Sequence, residues 1–418
     1  MRRYAARWVL PMAGPPVRDA TVVVVGRRVA DIQPALPPDP VVADVLTPGL
    51  VNAHAHLEYG PGFADLASGE RSFPRWLATM IARRQTLSAA QWRDQARASV
   101  RALVATGTTC VADVVTHGPG LEAAAEAGLA GISYLESVGI DSARWPAEHA
   151  RLASALAAAP PERTVGISPH TPYTLGTGVL EELSRLARGW GLRLHPHLGE
   201  SPAEDDFVRH GSGPLAVGSR RLGRELELLD VGFGASPAAY LDSVGCLGRD
   251  VHVAHGVHLD AADRALLRER GTAVALCVRS NATLGTGQPP VAAYLAEGSP
   301  LAVGTDSLAS VGSLDLLDEL RALREVALAQ GVPADGLAER LLGLATRGGA
   351  AAMGLDDVGR LAPGSRADLA GFSAGFPVSG SADPFAAVVE SGRCVLTVVG
   401  GATVPDTADT GAPTGTAP

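Results

Sequence analysis

A pair of histidines two residues apart gives the strongest chemical signal in the sequence. His54 and His56 follow directly on the apolar run 46–53. In an extended strand, residues i and i+2 face the same side, so both imidazoles would point into one site. Neutral imidazole nitrogens are common ligands of Zn²⁺ and Fe²⁺. Because an H-x-H pattern also arises by chance, this pair alone leaves the metal and the structural interpretations both open.

Other ionisable side chains follow later apolar runs in the same way. His197 and Glu200 follow one run, His255 follows a second, and Asp306 follows a third. A structural histidine would explain any one of them. Four such groups, each directly after an apolar run, are hard to explain without a shared site. The pattern predicts metal-dependent hydrolytic chemistry.

The elements expected to position these groups are eight repeated βα units. Short β-branched runs alternate with Ala-, Leu- and Arg-rich stretches of helical periodicity. We predict strands at 46–53, 108–115, 129–137, 164–170, 192–198, 250–257, 272–278 and 300–305. We predict helices between them, among others at 88–106, 178–190, 261–270 and 314–330. Eight units close an α/β fold into a (β/α)8 TIM-type barrel, whose catalytic residues lie at the carboxyl ends of the strands.

The two flanks of the barrel have a different character. Residues 17–33 predict a hairpin, and 357–402 contain short strands separated by glycine and proline. We therefore expect residues 1–45 and 357–402 to form one small β-sandwich beside a barrel at 46–356. The Thr-, Ala- and Pro-rich stretch 403–418 predicts a disordered tail. The Gly-rich region 211–245 is longer than a usual βα connection and is a candidate for part of a lid.

Composition argues against several classes of function. The net charge is −9, and no long basic run occurs, so neither nucleic acid nor an anionic membrane is the expected partner. All 35 residues counted as lysine or arginine are arginines. Schiff-base, P-loop and carbamylated-lysine metal chemistry are therefore impossible. The lack of a signal-like or spanning apolar stretch, together with four widely spaced cysteines, predicts a cytoplasmic protein with free thiols. A homodimer is a possible assembly.

These motifs resemble those of the amidohydrolase superfamily, in the branch of mononuclear-metal deaminases that act on S-adenosylhomocysteine, methylthioadenosine, guanine or cytosine. The resemblance includes the terminal segment 359–369. It implies one divalent ion, Zn²⁺ or Fe²⁺, and these metal ligands: His54, His56, His197 and Asp306. It also implies proton transfer by Glu200, His255 and Asp306. His195 competes with His197 as a ligand, but the family's His-x-x-Glu spacing favours His197 together with Glu200.

Within this branch, segments 52–59 and 279–287 and a Phe-x-x-Trp motif resemble 6-aminodeoxyfutalosine deaminases. These enzymes release ammonia from an adenine nucleoside with a carboxylated tail, in the futalosine route to menaquinone. The implied substrate contacts are His170, Glu58, Trp76, Arg279 and Asn281. A carboxylate tail favours an arginine partner, either Arg279 or the pair Arg83 and Arg84.

Several alternatives remain open at this point. One is a deaminase of S-adenosylhomocysteine, methylthioadenosine or adenosine, and another is a chlorohydrolase-like or guanine-deaminase-like activity. In a different class, the chain would be a barrel without catalysis that serves as an assembly protein. Relatives of that kind usually lose metal ligands, whereas this sequence keeps the whole set.

Overall fold

The computed structural model describes residues 1–35, 40–68, 72–374 and 383–405. The predicted tail lies outside the described residues from residue 406 onward. None of the described helices is both long and apolar enough to cross a membrane.

A barrel of eight parallel strands forms the body of the molecule, and a sheet made from both termini flanks it. The strands in chain order are β1 Arg2–Val9, β2 Val17–Val25, β3 Arg28–Gln33, β4 Ala43–Pro48, β5 Leu50–Ala55, β6 Thr108–Val115, β7 Ala130–Ser137, β8 Thr164–Pro169, β9 His197–Leu198, β10 His252–His255, β11 Ala273–Leu276, β12 Leu301–Val303, β13 Leu369–Ser373, β14 Arg393–Val399 and β15 Ala402–Thr403. Strands β5 to β12 are the barrel, which confirms the predicted fold class.

The barrel closes through two parallel ladders. One ladder runs β5-β6-β7-β8, and the other runs β9-β10-β11-β12. Leu194 bridges to Ile167 and to Val251 between the ladders, and Ala55 bridges to Asp306 on the other side. At this second point of closure, a backbone hydrogen bond joins strand β5, which carries His54, to the segment that carries Asp306.

Helices connect the barrel strands and cover them. They are α1 Phe73–Arg84, α2 Ala89–Ala105, α3 Pro119–Glu126, α4 Trp145–Ala158, α5 Thr177–Gly189, α6 Pro202–His210, α7 Gly213–Arg221, α8 Pro237–Ser243, α9 Ala261–Arg270, α10 Val278–Leu284, α11 Val291–Ala296, α12 Leu316–Ala329, α13 Leu337–Gly343, α14 Gly349–Ala352 and α15 Pro384–Ser391, with a 3-10 turn at Pro61–Ser68 and a π turn at Leu344–Gly348. The four helices named from the sequence are confirmed as α2, α5, α9 and α12. The start of α2 is set locally, because Ser88 and Gln91 form a reciprocal capping box.

Two predicted strands differ from the structure. The run 46–53 divides at Gly49, because β4 joins the terminal sheet and β5 joins the barrel. The proposed boundary at residue 45 thus falls inside β4. The run 192–198 pairs as a regular strand only in β9. Pro196 lacks an N–H and cannot donate to a neighbouring strand.

The terminal segments form a single seven-stranded sheet, in the order β15-β14-β13-β4-β1-β2-β3. Its core combines residues from both ends of the chain, for example Tyr4, Val22 and Leu369. The region 211–245, predicted as a long Gly-rich connection and a candidate for part of a lid, contains the short helices α7 and α8.

Candidate metal centre and active-site cleft

The carboxyl ends of the barrel strands bring the predicted ionisable residues together. The buried side chains concerned are His54, His56, His197, His255 and Asp306. The first two lie at the end of β5, the next on β9, His255 at the end of β10, and Asp306 just after β12. The strand-end rule for barrels therefore describes this site.

Nitrogen and oxygen atoms of four residues converge in a way that fits one cation. His56 Nε2 lies 3.2 Å from His197 Nε2, and Asp306 Oδ1 lies 3.8 Å from His56 Nε2 and 3.9 Å from His54 Nε2. Two atoms that each lie about 2.1 Å from one ion are at most about 4.2 Å apart. His54 Nε2 is buried and has no hydrogen-bond partner. The residues present therefore fit a divalent metal ion, and they form a His/Asp metal-binding site.

A relay of hydrogen bonds fixes the tautomer of His54. His195 Nδ1 lies 2.8 Å from the carbonyl oxygen of His252, which can only accept. The proton of neutral His195 is therefore on Nδ1, and its Nε2 is an acceptor. His54 Nδ1 lies 2.8 Å from that Nε2 and must donate to it. This leaves a lone pair on His54 Nε2, the atom that faces the cation site.

His197 is held in the same manner. Its Nδ1 donates to the carbonyl oxygen of His170 at 3.0 Å, which leaves the Nε2 lone pair for a metal. Burial, followed by the charge of neighbouring His197, lowers the pKa of His56 to about 3. Burial is also the main reason that the pKa of His54 lies well below its usual value. These two imidazoles are thus neutral at neutral pH, as metal ligands must be.

The carboxylate of Asp306 is oriented by two serines. Its Oδ2 accepts hydrogen bonds from Ser280 Oγ at 2.6 Å and from Ser310 Oγ at 3.0 Å. The other oxygen, Oδ1, is the one that faces the histidines. Asp306 and His255 adopt φ values of 63° and 76°, which non-glycine residues rarely do. Backbone strain of this kind is typical of functional sites.

Glu200 and His255 form a buried pair beside the ligands. Glu200 Oε1 lies 3.6 Å from His255 Nε2. The Asn281 amide donates to His255 Nδ1 at 3.2 Å, so the ring proton of neutral His255 is on Nε2. Burial, then Asp306 and Glu204, raise the pKa of Glu200 well above its usual value. Glu204 fixes the loop by accepting the N–H groups of Gly199 and Glu200, each at 2.9 Å.

A cleft leads from these residues toward the surface. Its aromatic lining comprises Tyr59, Phe73, Trp76 and Tyr173. Trp76 Nε1 donates to the Ala309 carbonyl oxygen at 3.0 Å, which holds the indole in place. Three polar side chains, Arg84, Glu136 and His170, complete the wall. His170 and Trp76, two of the predicted substrate contacts, therefore line this cleft.

The family of the chain follows from its sequence as a whole. A model of the amidohydrolase family matches residues 45–404. The chain belongs to the amidohydrolase family. It is 33% identical, over 339 residues, to a 5-methylthioadenosine/S-adenosylhomocysteine deaminase of Halobacterium salinarum, a match that covers 78% of this chain and 72% of that protein.

Solved structures share the fold of this amidohydrolase. Helicobacter pylori aminofutalosine deaminase, in complex with methylthio-coformycin, superposes with a TM-score of 0.82 at 20% identity, covering 97% of this chain and 100% of that one. An adenosine deaminase from Xanthomonas campestris with bound zinc gives a TM-score of 0.81 at 22% identity, covering 96% and 92% of the two chains.

Three of the expected substrate contacts do not reach the cleft of this amidohydrolase. Both carboxylate oxygens of Glu58 accept backbone N–H groups from the turn that contains His117 and Gly120, at 2.9 and 3.3 Å. The Arg279 guanidinium donates to the Ser313 carbonyl oxygen at 3.1 Å. We therefore assign Glu58 and Arg279 to the scaffold, because backbone groups engage the Glu58 carboxylate and Nη1 of Arg279, and neither residue is among those that line the cleft.

Asn281 is the third of these residues. Its amide nitrogen donates to His255 Nδ1 at 3.2 Å and to Thr286 Oγ1 at 3.1 Å. The side chain is buried behind His255 and supports that ring instead of contacting the cleft. The role of Asn281 in this amidohydrolase is therefore to orient His255.

The structure also shows a cleft residue that the sequence analysis missed. It shows in addition that Arg83 and Arg84 have different surroundings. Glu136, the penultimate residue of β7, lines the cleft. The strand-end rule would have found it, because it closes the predicted strand 129–137. Arg83 pairs with Asp65, with one N–O distance of 2.9 Å. Arg84 instead lines the cleft, with its guanidinium carbon 5.8 Å from the centre of the Tyr59 ring.

Proposed function

We propose that this amidohydrolase is a hydrolytic deaminase of an adenine nucleoside, with 6-aminodeoxyfutalosine as the preferred substrate. The observation that carries the proposal is the buried carboxyl of Glu200, placed 3.6 Å from His255 and beside the His/Asp metal site. A deamination of this kind needs a proton donor next to the site of nucleophilic attack. The name of the Halobacterium salinarum relative supports the class of reaction.

The metal would be a single Zn²⁺ or Fe²⁺ ion. His54, His56, His197 and Asp306 would hold it, and imidazole and carboxylate ligands suit both metals. When bound, such an ion lowers the pKa of a coordinated water toward neutrality. The absence of lysine from the sequence agrees with one ion, because no carbamate bridge can form.

The side chains divide the proton transfers among them. The ring proton of neutral His255 is on Nε2, so Asp306 is the acceptor for the proton of the attacking water. Burial, then Asp306 and Glu204, raise the pKa of Glu200 well above its usual value and so favour its protonated form. Glu200 gives this proton to N1 of the purine as the C6–O bond forms. Asp306 then passes the proton taken from water to the amino group, and Glu200 takes up the proton of the C6 hydroxyl as the C6–N bond breaks. Ammonia and a hypoxanthine product leave, and both carboxyl groups return to their starting protonation states.

The side chain that supports an anionic tail on the substrate is Arg84. It replaces Arg279 in this role, because Arg84 lines the cleft and Arg279 does not. Arg84 lies over the ring of Tyr59. A charge-assisted hydrogen bond to a carboxylate contributes about 1.5–3 kcal/mol, or roughly ten- to a hundredfold in kcat/KM.

Ammonia release by the purified, metal-loaded protein tests the proposal. The assay compares 6-aminodeoxyfutalosine, adenosine, methylthioadenosine and S-adenosylhomocysteine at equal concentrations. We expect the highest kcat/KM with the carboxylated futalosine precursor. A preference for one of the other nucleosides would overturn the substrate and leave the deaminase. Hydrolysis of a triazine with no purine turnover would overturn both.

A further inference from the structure

The proposed chemistry leaves one buried carboxylate in the cleft without a role. Glu136 is only 4% exposed, yet it lines the cleft that leads to the metal site. A buried carboxylate is unfavourable unless its oxygens accept hydrogen bonds or pair with a cation. The partners of its two oxygens therefore indicate what it can bind.

One oxygen is held from behind by a chain of hydroxyl groups. Thr116 Oγ1 donates to Glu136 Oε2 at 2.7 Å. Since this hydroxyl has one proton, the Tyr59 hydroxyl, 3.1 Å away, must donate to Thr116. The chain fixes the carboxylate plane and leaves Oε1 for another partner.

The second oxygen, Oε1, accepts no hydrogen bond from the part of the chain that the structure describes. His170 Nε2 lies 3.8 Å from it, which is beyond hydrogen-bond distance. Arg151 is close, but its guanidinium is engaged by Glu148 and by the main-chain carbonyl of Glu136. The cleft thus presents an oriented acceptor that has no donor within hydrogen-bond distance among the described residues.

The position of Glu136 indicates which part of a substrate would meet it. The ring of His170 lies 4.9 Å from the ring of the proposed metal ligand His197. Nε2 of His170 lies 3.8 Å from Glu136 Oε1. His170 thus lies in contact with both the proposed metal ligand His197 and Glu136. In a purine nucleoside the sugar is attached at N9, at the end of the ring system remote from the 6-amino group.

We propose that Glu136 Oε1 accepts hydrogen bonds from the 2′ and 3′ hydroxyl groups of the nucleoside, an inference that rests on the proposed deaminase function. A carboxylate can only accept, so it complements a pair of hydroxyl donors and repels an anionic substituent. Glu136 thereby makes the enzyme select a ribonucleoside over a free base or a deoxyribose analogue.

The test compares adenosine with 2′,3′-dideoxyadenosine in the metal-loaded full-length enzyme. We expect wild type to favour adenosine by about 10- to 100-fold in kcat/KM, the range for a hydrogen bond to a charged group. Glu136→Ala should reduce this ratio to about twofold or less, mainly through slower adenosine turnover. Glu136→Gln keeps one acceptor and the shape of the side chain, so it should give an intermediate ratio even if the alanine variant folds poorly.

The matched control is Glu148→Gln, a buried glutamate outside the cleft that pairs with Arg151. It should keep the wild-type ratio. An unchanged ratio in both Glu136 variants, with normal metal content, would overturn the assignment of Glu136. Equal turnover of the two nucleosides by wild type would overturn it as well and would leave the deaminase standing. No turnover of any adenine nucleoside by wild type would overturn both the inference and the proposed function.

Discussion

Replacing His195 by leucine tests whether the hydrogen-bond relay prepares a metal ligand. In the structure, His195 Nε2 accepts the Nδ1 proton of His54 at 2.8 Å. Leucine removes that acceptor, so the His54 N–H is left buried without a partner, or the proton moves to Nε2 and blocks the metal-binding lone pair. Either outcome makes binding of the metal ion less favourable.

The size of the effect can be estimated in two ways. An unsatisfied buried donor costs about 1–3 kcal/mol. Loss of a residue that orients a metal ligand typically lowers metal affinity about 10- to 100-fold, which corresponds to about 1.4–2.7 kcal/mol. The two ranges agree, so we expect His195→Leu to weaken metal binding by one to two orders of magnitude.

The assay is competition between the protein and a chelator of known affinity, with Zn²⁺ as the metal. Absorption of the Co²⁺-substituted protein gives a second readout of ligand geometry that does not depend on activity. His195→Gln is the informative partner variant, because its amide oxygen can accept from His54 and should recover much of the affinity. His149→Leu, on α4 and stacked against Trp190, is the matched control and should bind metal as wild type does. Equal affinity in wild type and His195→Leu, or equal loss in the leucine and glutamine variants, would refute the relay.

Three further outcomes follow from the site. Glu200→Gln should keep the metal and lose about 10²–10⁴-fold in kcat, since an amide cannot transfer the proton; a near-wild-type kcat would contradict the assignment. Asp306→Ala should lose metal and activity together while circular dichroism stays unchanged, and stoichiometric metal in this variant would exclude Asp306 as a ligand. Arg84→Gln should lower kcat/KM for the carboxylated nucleoside about ten- to a hundredfold and change kcat/KM for adenosine by no more than about twofold. The charge-matched control Arg279→Gln should leave kcat/KM for both substrates unchanged. Equal losses on both substrates in Arg84→Gln would show that Arg84 does not bind the tail.

The proposed metal ligands could be predicted from the sequence because the evidence for them lies in short segments of the chain. His54 and His56 share a strand face by their spacing alone, and Asp306 directly follows a short apolar strand. Parallel strands in a barrel bring their carboxyl ends to one face, so residues at the ends of different strands can be predicted to lie close together. The same rule, applied to the strand that ends near Glu136, would have added that residue.

The errors arose where a role depends on tertiary contacts. Glu58 carries a charge two residues beyond His56, but its oxygens meet backbone N–H groups of a turn about sixty residues later in the chain. Nothing in the local pattern distinguishes such a carboxylate from one that faces the cleft. Similarly, the sequence analysis predicted one strand over 46–53, although Gly49 separates strands that belong to different sheets. The pair Pro48-Gly49 was the local signal for this break.

Two residues of the site, His255 and Asp306, have a strained backbone that the barrel strands and their contacts hold in place. His255 and Asp306 are two of five described non-glycine residues with positive φ. Each such conformation costs about 1–3 kcal/mol unless neighbouring structure holds it. For Asp306 the bridge to Ala55 and the two serine hydrogen bonds supply that restraint, and for His255 the Asn281 amide contributes. Strand pairing and buried hydrogen bonds thus hold His255 and Asp306, which we propose act in proton transfer, whereas Arg84 and Glu136 line the cleft beside them.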